Sequence, residues 1–349
     1  MSRRDVVKRL VFVVPVNLDR PTGGNRYDQA LVKALGELGI VVDLRTVPGA
    51  WPVATARSRA RLAMQLAGPD PVLVDGLLAC GAPREMGAAA ARGVQVHVLV
   101  HMPLGLDTGL SEDVASARTA LENEALGAAS SVLTTSEWTA QYLRAVHGLA
   151  SMTVAPPGAC PAPVAGGSDP PLLLHLAAIS PVKNQLTVVD ALALVSAEPW
   201  TARLTGALDA DREYAQAVQA RIQQHRLTER VVLTGPLAGE PLSRLWDATT
   251  ILLVPSRAET WGLAVTEGLA RGIPAVVSRG TGGQEALGCT AAGEIPGALA
   301  DPDSPEDLAA AIRGLLGPGR ERARAAALER RQSLPRWLDT AAIVHRALM

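Results

Sequence analysis

Short apolar runs, each followed by a longer segment of helical period, recur along the whole chain, and this alternation predicts parallel α/β sheets. In the first half, "RLVFVVPV", "VVDLRTV", "PVLVDGL", "VQVHVLVH" and "SSVLTTS" read as strands, with helices predicted over Gly24 to Leu38 and Ser111 to Ala129. Most of these strands are rich in β-branched residues, as strands covered on both faces are. The stretch "PPGACPAPVAGGSDPP" has no apolar period and cannot continue either element type, so it predicts a linker between two domains. Beyond it, "PLLLHLAAIS", "TARLTGAL", "RVVLTGPL", "TTILLVPS" and "IPAVVSRG" form a second set of strands, and "LPRWLDTAAIVHRALM" predicts a final amphipathic helix. No repeat of solenoid length is present.

Composition narrows the function classes. The chain has 349 residues, 48% of them hydrophobic, which is enough for two cores. A net charge of -1, with both signs interspersed, carries no electrostatic footprint for nucleic acid. Cys80, Cys160 and Cys289 show neither CxxC spacing nor a histidine neighbour, so they read as plain thiols of a reducing cytoplasm, and no metal site is expected. No apolar run reaches the roughly 18 to 20 residues of a membrane span, and the start lacks a signal-peptide cleavage pattern, so the expectation is a cytoplasmic protein. Arg3, Arg4, Lys8 and Arg9 read as solvated rather than bilayer-binding. Only Lys8, Lys33 and Lys183 are lysines among 33 basic residues, which singles out Lys183.

Open parallel sheets present functional groups at the C-terminal ends of their strands. Four stretches there carry candidate chemistry. "NLDRPTGGNRYDQAL" runs from a strand through Gly23 and Gly24 into a helix; it is either a plain turn or a loop whose free N–H groups meet a phosphate or sugar hydroxyl. It has neither dinucleotide-fingerprint nor P-loop spacing. His101 follows a buried strand and could address a substrate oxygen, whereas His97 inside that strand reads as a satisfied core residue. In "LAAISPVKNQLTVVDAL", Ser180 and Pro181 are predicted to open a helix with Lys183 in its first turn, where a cation opposes the helix dipole and calls for an anion, unless it simply reaches solvent. Finally, "SRAETWGLAVTEGLARGIP" places Glu259 in the loop after a strand and Glu267 within the following helix. Each carboxylate can accept two hydrogen bonds from a vicinal diol, or both are solvated.

Taken together, "SRAETWGLAVTEGLARGIPAVVS", "PTGGNRYDQALVKALGELGIVVDL", "VLTTSEWTAQYL", "VAPPG", "VVLTGPLAGEPLSRLWDATTILLVPS", "GTGGQEAL" and "PRWLDTAAIVHRAL" resemble the retaining family 4 glycosyltransferases. That resemblance implies the GT-B architecture of two facing Rossmann-like domains: an acceptor-side domain over 1–160, completed by a helix at 335–349 that crosses back, and a donor-binding domain over 168–334. It implies a nucleoside-diphosphate sugar as donor substrate, a small-molecule or lipid-linked acceptor, and no cofactor or metal. Residue by residue, Glu267 would bind the ribose, Glu259 the donor sugar, and Lys183 the diphosphate, helped by backbone amides around Trp261, Gly262 and Leu263. Gly23 and Gly24 would lie near the diphosphate and acceptor, and His101 at the reacting centre. The family's arginine five residues before the lysine is replaced here by Ala178, which leaves Arg26 and Arg257 as candidate compensating cations. Two other readings fit less of the pattern: a sugar-nucleotide epimerase, and a non-catalytic sugar-nucleotide-binding or partner subunit.

Overall fold

A computed structural model describes residues 9–16, 22–106 and 109–349. Arg3, Arg4 and Lys8 of the basic start lie outside them. The chain forms two compact units, one comprising Met1–Gly158 with Pro335–Met349 and the other Ala159–Leu334.

The first unit is built on a six-stranded sheet in the order β2-β1-β3-β4-β5-β6. Its strands are β1 (Arg9–Pro15), β2 (Val41–Val47), β3 (Val72–Asp75), β4 (Val96–Val100), β5 (Ser131–Thr134) and β6 (Thr153–Val154), all parallel. Alternate residues feed the two faces. Val11, Val13, Val72 and Val98 enter one buried cluster, and Leu10, Phe12, Leu73, Leu99 and Leu133 the other. On the second face, Tyr27, Leu31 and Leu35 of the helix Gly23–Glu37 pack with Ala341 and Val344 of the helix Trp337–Ala347. β2 departs from the expected double coverage: Val41 and Leu44 are exposed, because an edge strand has a neighbour on one side alone.

The second unit holds another six-stranded parallel sheet, in the order β12-β11-β10-β7-β8-β9. Its strands are β7 (Leu172–Leu176), β8 (Thr201–Thr205), β9 (Val231–Gly235), β10 (Thr249–Val254), β11 (Ala275–Ser278) and β12 (Gly297–Ala300). Read from the other edge this is the 3-2-1-4-5-6 order of a dinucleotide-type sheet, whose direction of winding reverses between β7 and β10. Hydrophobic patterning finds five strands in each half. It misses β6, two residues long, and β12, whose "GALA" lacks the large β-branched residues that mark a strand.

Candidate active site

The loops at the C-terminal ends of β7 and β10 meet where the winding of the second sheet reverses, the place where open sheets hold ligands. After β7 the chain makes a short 3₁₀ turn, Pro181–Lys183, and the α-helix begins only at Gln185. Lys183 therefore lies before the helix, not in its first turn. The cause is Asn184, held in the left-handed conformation at φ 66° by its own side chain. Its Nδ2 donates to the carbonyls of Pro255 (3.1 Å) and Pro302 (2.6 Å), while its Oδ1 accepts from Thr187 Oγ1 at 2.8 Å. The Arg257 amide also donates to Val182 O at 2.8 Å, so the two loops are joined by backbone and side chain.

The anion that Lys183 calls for is Glu259. Lys183 Nζ donates to Glu259 Oε2 at 2.6 Å, and Ser256 Oγ donates to the same oxygen at 3.1 Å. The side chains are 22% and 12% exposed, so the pair is shielded yet open on one side. Beneath it, buried His175 donates from Nε2 to the Lys183 carbonyl at 2.8 Å. Burial lowers the His175 pKa to about 4, and the nearby lysine charge adds to the effect, so the ring is neutral and Nε2 carries the proton of this bond.

Glycines shape the loop around Glu259. Gly262 has φ 87°, and a Cβ there would sit 3.2 Å from Val265 Cγ2 and 3.4 Å from Glu259 Cγ. This left-handed step stops the helix from starting at Trp261, so the helix spans Leu263–Leu269 and Trp261 and Gly262 precede it. Trp261 is buried, with Nε1 donating to Thr266 Oγ1 at 2.8 Å. Glu267 is half-buried on that helix. The amide of Gly282 donates to Glu259 O at 2.7 Å, and a Cβ on Gly282 would collide with the Thr260 carbonyl. Arg257 is mostly turned to solvent and pairs with Asp303 at 2.9 Å rather than with the Lys183–Glu259 pair. A cavity of about 470 Å³ in this unit, lined in part by Glu294, Ala311 and Arg322, includes none of these site residues.

The first unit carries a second constellation where its own winding reverses, between β1 and β3. His101, directly after β4, places Nε2 2.8 Å from Asp28 Oδ1 and 3.5 Å from Asp75 Oδ2. Asp28 belongs to the helix that Gly23 and Gly24 open, with Thr22 as its cap. Asp75 ends β3 and caps the next helix, accepting from the Leu77 amide at 2.7 Å. Gly24 lets the helix approach the histidine, since a Cβ there would lie 3.2 Å from His101 Cδ2. Tyr27 meets the ring edge-on at 5.1 Å. Burial and then the Asp28 charge raise the Asp75 pKa, His101 and the backbone amides of Leu77 and Leu78 oppose them, and the net value is about 6. Burial would lower the His101 pKa, but the charge and hydrogen bond of Asp28 and the charge of Asp75 outweigh it and raise the value. Arg26 is exposed on the same helix.

Asp28 and Asp75 are the residues that pattern reading misses; their signal is an acid at a strand end and an acid on the first turns of the helix after the glycine pair. Among the described residues, Asp28, Asp75 and His101 are the group whose donor atoms converge closely enough for a metal ion, all within 4.8 Å. The 2.8 Å contact of Nε2 with Asp28 is a hydrogen-bond distance and already engages that nitrogen. His97 is half satisfied rather than fully: Nδ1 meets Ser131 Oγ at 2.7 Å and buried Nε2 has no partner.

Residues 163–331 match the family model of the glycosyl transferases group 1. Over 173 residues the chain is 32% identical to the GDP-mannose-dependent alpha-(1-6)-phosphatidylinositol dimannoside mannosyltransferase of Mycobacterium tuberculosis, covering 49% of this chain and 42% of that protein. The chain thus spans less than half the length of this curated relative. Among solved structures, a sucrose-phosphate synthase from Thermosynechococcus elongatus superposes with TM-score 0.77 at 19% identity, covering 97% of this chain and 98% of that one. HepE of Anabaena, solved in complex with UDP and glucose, gives TM-score 0.74 at 16% identity, with 98% and 99% covered. Among the described residues, no helix is long and apolar enough to cross a membrane. The fold is therefore GT-B, two parallel-sheet units each wound as an α/β layer structure, and the second unit is the part of the chain that matches the glycosyl transferases group 1 family model.

Proposed function

We propose that the protein transfers a sugar from a nucleoside-diphosphate sugar to an acceptor hydroxyl with retention of anomeric configuration. The observation that carries this reading is the Lys183–Glu259 pair, joined by Ser256 at the point where the winding of a group 1 glycosyl transferase sheet reverses. A cation and a carboxylate side by side offer one partner for a diphosphate and one for sugar hydroxyls. The UDP and glucose bound by HepE are the chemical kind of ligand such a pair would hold.

In the reaction, the acceptor oxygen forms a bond to the anomeric carbon as the bond to the diphosphate oxygen breaks, on the same face of the sugar. The acceptor proton passes to the departing diphosphate, so neither a covalent enzyme intermediate nor a protein base is needed. Lys183 stabilises the charge growing on the leaving group, Glu259 positions the sugar, and Glu267 takes the ribose. Amides at Trp261, Gly262 and Leu263 add to the anion site. In the first unit, His101 addresses a substrate oxygen, and Gly23 and Gly24 keep the backbone open beside it. Leaving-group stabilisation rests on protein groups, so transfer is metal-independent in this reading.

Ala178 supports a second reading, a non-catalytic sugar-nucleotide binder, because it removes one cation expected next to Lys183. A thermal-shift panel of UDP-, GDP-, ADP- and dTDP-sugars separates the two when followed by product analysis. A shift with one nucleotide series, lost in Glu267→Ala, supports the donor site. Sugar transfer to an acceptor establishes the enzyme, and binding without consumption of donor establishes the binder. No shift with any donor at millimolar concentration overturns both.

A further inference from the structure

The Asp28–His101–Asp75 group is unusual in its charge and in its solvent access. Two carboxylates, 1% and 7% exposed, face one ring nitrogen. A carboxylate cannot donate, so with both acids ionised the proton between them and the ring must sit on His101 Nε2. The ring is 16% exposed, and no hydrogen bond to Nδ1 is found among the described residues. Asp28 Oδ2 is buried without a partner, so the group holds more negative charge than its hydrogen bonds satisfy. The titratable groups facing the ring are Asp28 and Tyr27 from the helix Gly23–Glu37 and Asp75 from the end of β3. Tyr27 is buried and donates its hydroxyl to Ala155 O at 2.9 Å, and burial followed by the Asp28 charge raises its pKa, so it stays neutral.

We propose that Asp28 and Asp75 are positioning residues that hold His101 as an imidazolium with Nε2–H on the carboxylates, leaving Nδ1–H as a donor to a substrate oxygen. This rests on the reading that His101 meets substrate, and it goes beyond that reading by excluding His101 as a general base. A ring with both nitrogens protonated gives a hydrogen bond and cannot take a proton. The histidine is then suited to a sugar hydroxyl or phosphate oxygen. The two acids offset the imidazolium, two negative charges against one positive, so the group presents no net cation to a sugar that becomes positive as its bond breaks.

The test is nitrogen-15 NMR of the histidine rings in the full chain between pH 5.5 and 9, with His101 assigned by His101→Gln. The expected result is two protonated ring nitrogens at pH 7 and a midpoint above that of an ordinary histidine. In Asp28→Asn the midpoint falls by roughly one pH unit or more, since an adjacent opposite charge shifts a pKa by about 1 to 3 units. Where transfer is measured, kcat falls roughly 10- to 100-fold, as for groups that orient another group in a site. The donor KM changes little, and the alkaline limb of the pH profile moves down with the NMR midpoint. Asp75→Asn provides the same reading if Asp28→Asn does not fold, whereas Asp28→Glu, which keeps the charge, should hold the midpoint above that of an ordinary histidine. A neutral His101 at pH 7, or a midpoint unmoved in both Asn variants, overturns the proposal. So does stabilisation by Mn²⁺ or Zn²⁺ that is lost in Asp28→Asn, which would make the group a metal site. A wild type that shows the expected titration but transfers no sugar sinks the enzyme reading and leaves the charge assignment standing.

Discussion

Lys183 Nζ and Glu259 Oε2 lie 2.6 Å apart, and the two loops that deliver them are tied together by Asn184 to Pro255 O and by the Arg257 amide to Val182 O. Partly exposed ion pairs contribute little to stability, typically about 0 to 1 kcal/mol, so this pair is not needed to hold the fold. Its residues are free to exchange partners when a ligand arrives. Under the proposed function the two variants separate. Lys183→Met abolishes the thermal shift caused by UDP or GDP, whichever the wild type binds. Glu259→Gln keeps most of that shift but transfers sugar at least about 100-fold more slowly, the scale of losing a charged contact of roughly 3 kcal/mol in the transition state. A Glu259→Gln enzyme with normal kcat would remove Glu259 from the reaction.

Asn184 supports the cation from behind. Asn184→Ala loses both donations, to Pro255 and Pro302, and must hold φ 66° without the side chain that stabilises it. A cost of about 2 to 4 kcal/mol is expected from the lost buried hydrogen bonds and the backbone strain together. Asn184→Gly relieves the strain alone, so its urea midpoint should fall between those of Asn184→Ala and wild type. Equal midpoints for the two variants would mean that the backbone conformation contributes nothing.

Gly262 and Gly280 both have positive φ, 87° and 75°, but a Cβ meets side chains at the first and open space at the second. Gly280→Ala should cost about 1 kcal/mol, the strain of the left-handed region. Gly262→Ala should cost more and also weaken nucleotide binding, because the added methyl crowds Val265 Cγ2 at 3.2 Å in the turn that carries Glu259, whose Cγ it touches at 3.4 Å. Calorimetry with and without nucleotide measures both effects, and an unchanged affinity in Gly262→Ala would separate the loop's shape from the ligand.

His175 makes acid destabilising. Its folded pKa, about 4, lies below the ordinary value of 6.5, so the unfolded chain binds more protons between these two pH values. Its contribution is therefore complete above pH 6.5 and is lost as pH falls toward 4. The shift corresponds to about 3 kcal/mol at most. His175→Gln keeps a donor for the Lys183 carbonyl but cannot titrate, so it should lose less stability than wild type between pH 7.5 and 5 in urea unfolding. Parallel losses would show that His175 is not a source of the acid sensitivity.

Much of the fold is legible in the sequence because strands such as "RLVFVVP" and "TTILLV" are buried on both faces and so must be continuously apolar. Glu259 is legible for a related reason: it follows a clear strand and precedes a helix with clear stop signals. Lys183 is legible as a residue but not in its setting. The left-handed Asn184 that takes it out of the helix depends on carbonyls of Pro255 and Pro302, far along the chain. Asp28 and Asp75 are hidden for the same reason, since 73 positions separate Asp28 from His101 and no local period links them.

The helix Trp337–Ala347 completes the first unit, with Trp337 edge-on to Tyr27 at 5.2 Å and Thr340 donating to Pro156 O, although the whole second unit intervenes in the chain. Synthesis therefore reverses the order in which the units can finish. At about 5 to 20 residues per second, the second unit emerges whole while the first waits on the order of 10 s or more for its last helix. During that interval the apolar face of Tyr27, Leu31 and Leu35 lacks part of its cover, and a nascent chain stopped before residue 335 would be a client for chaperones.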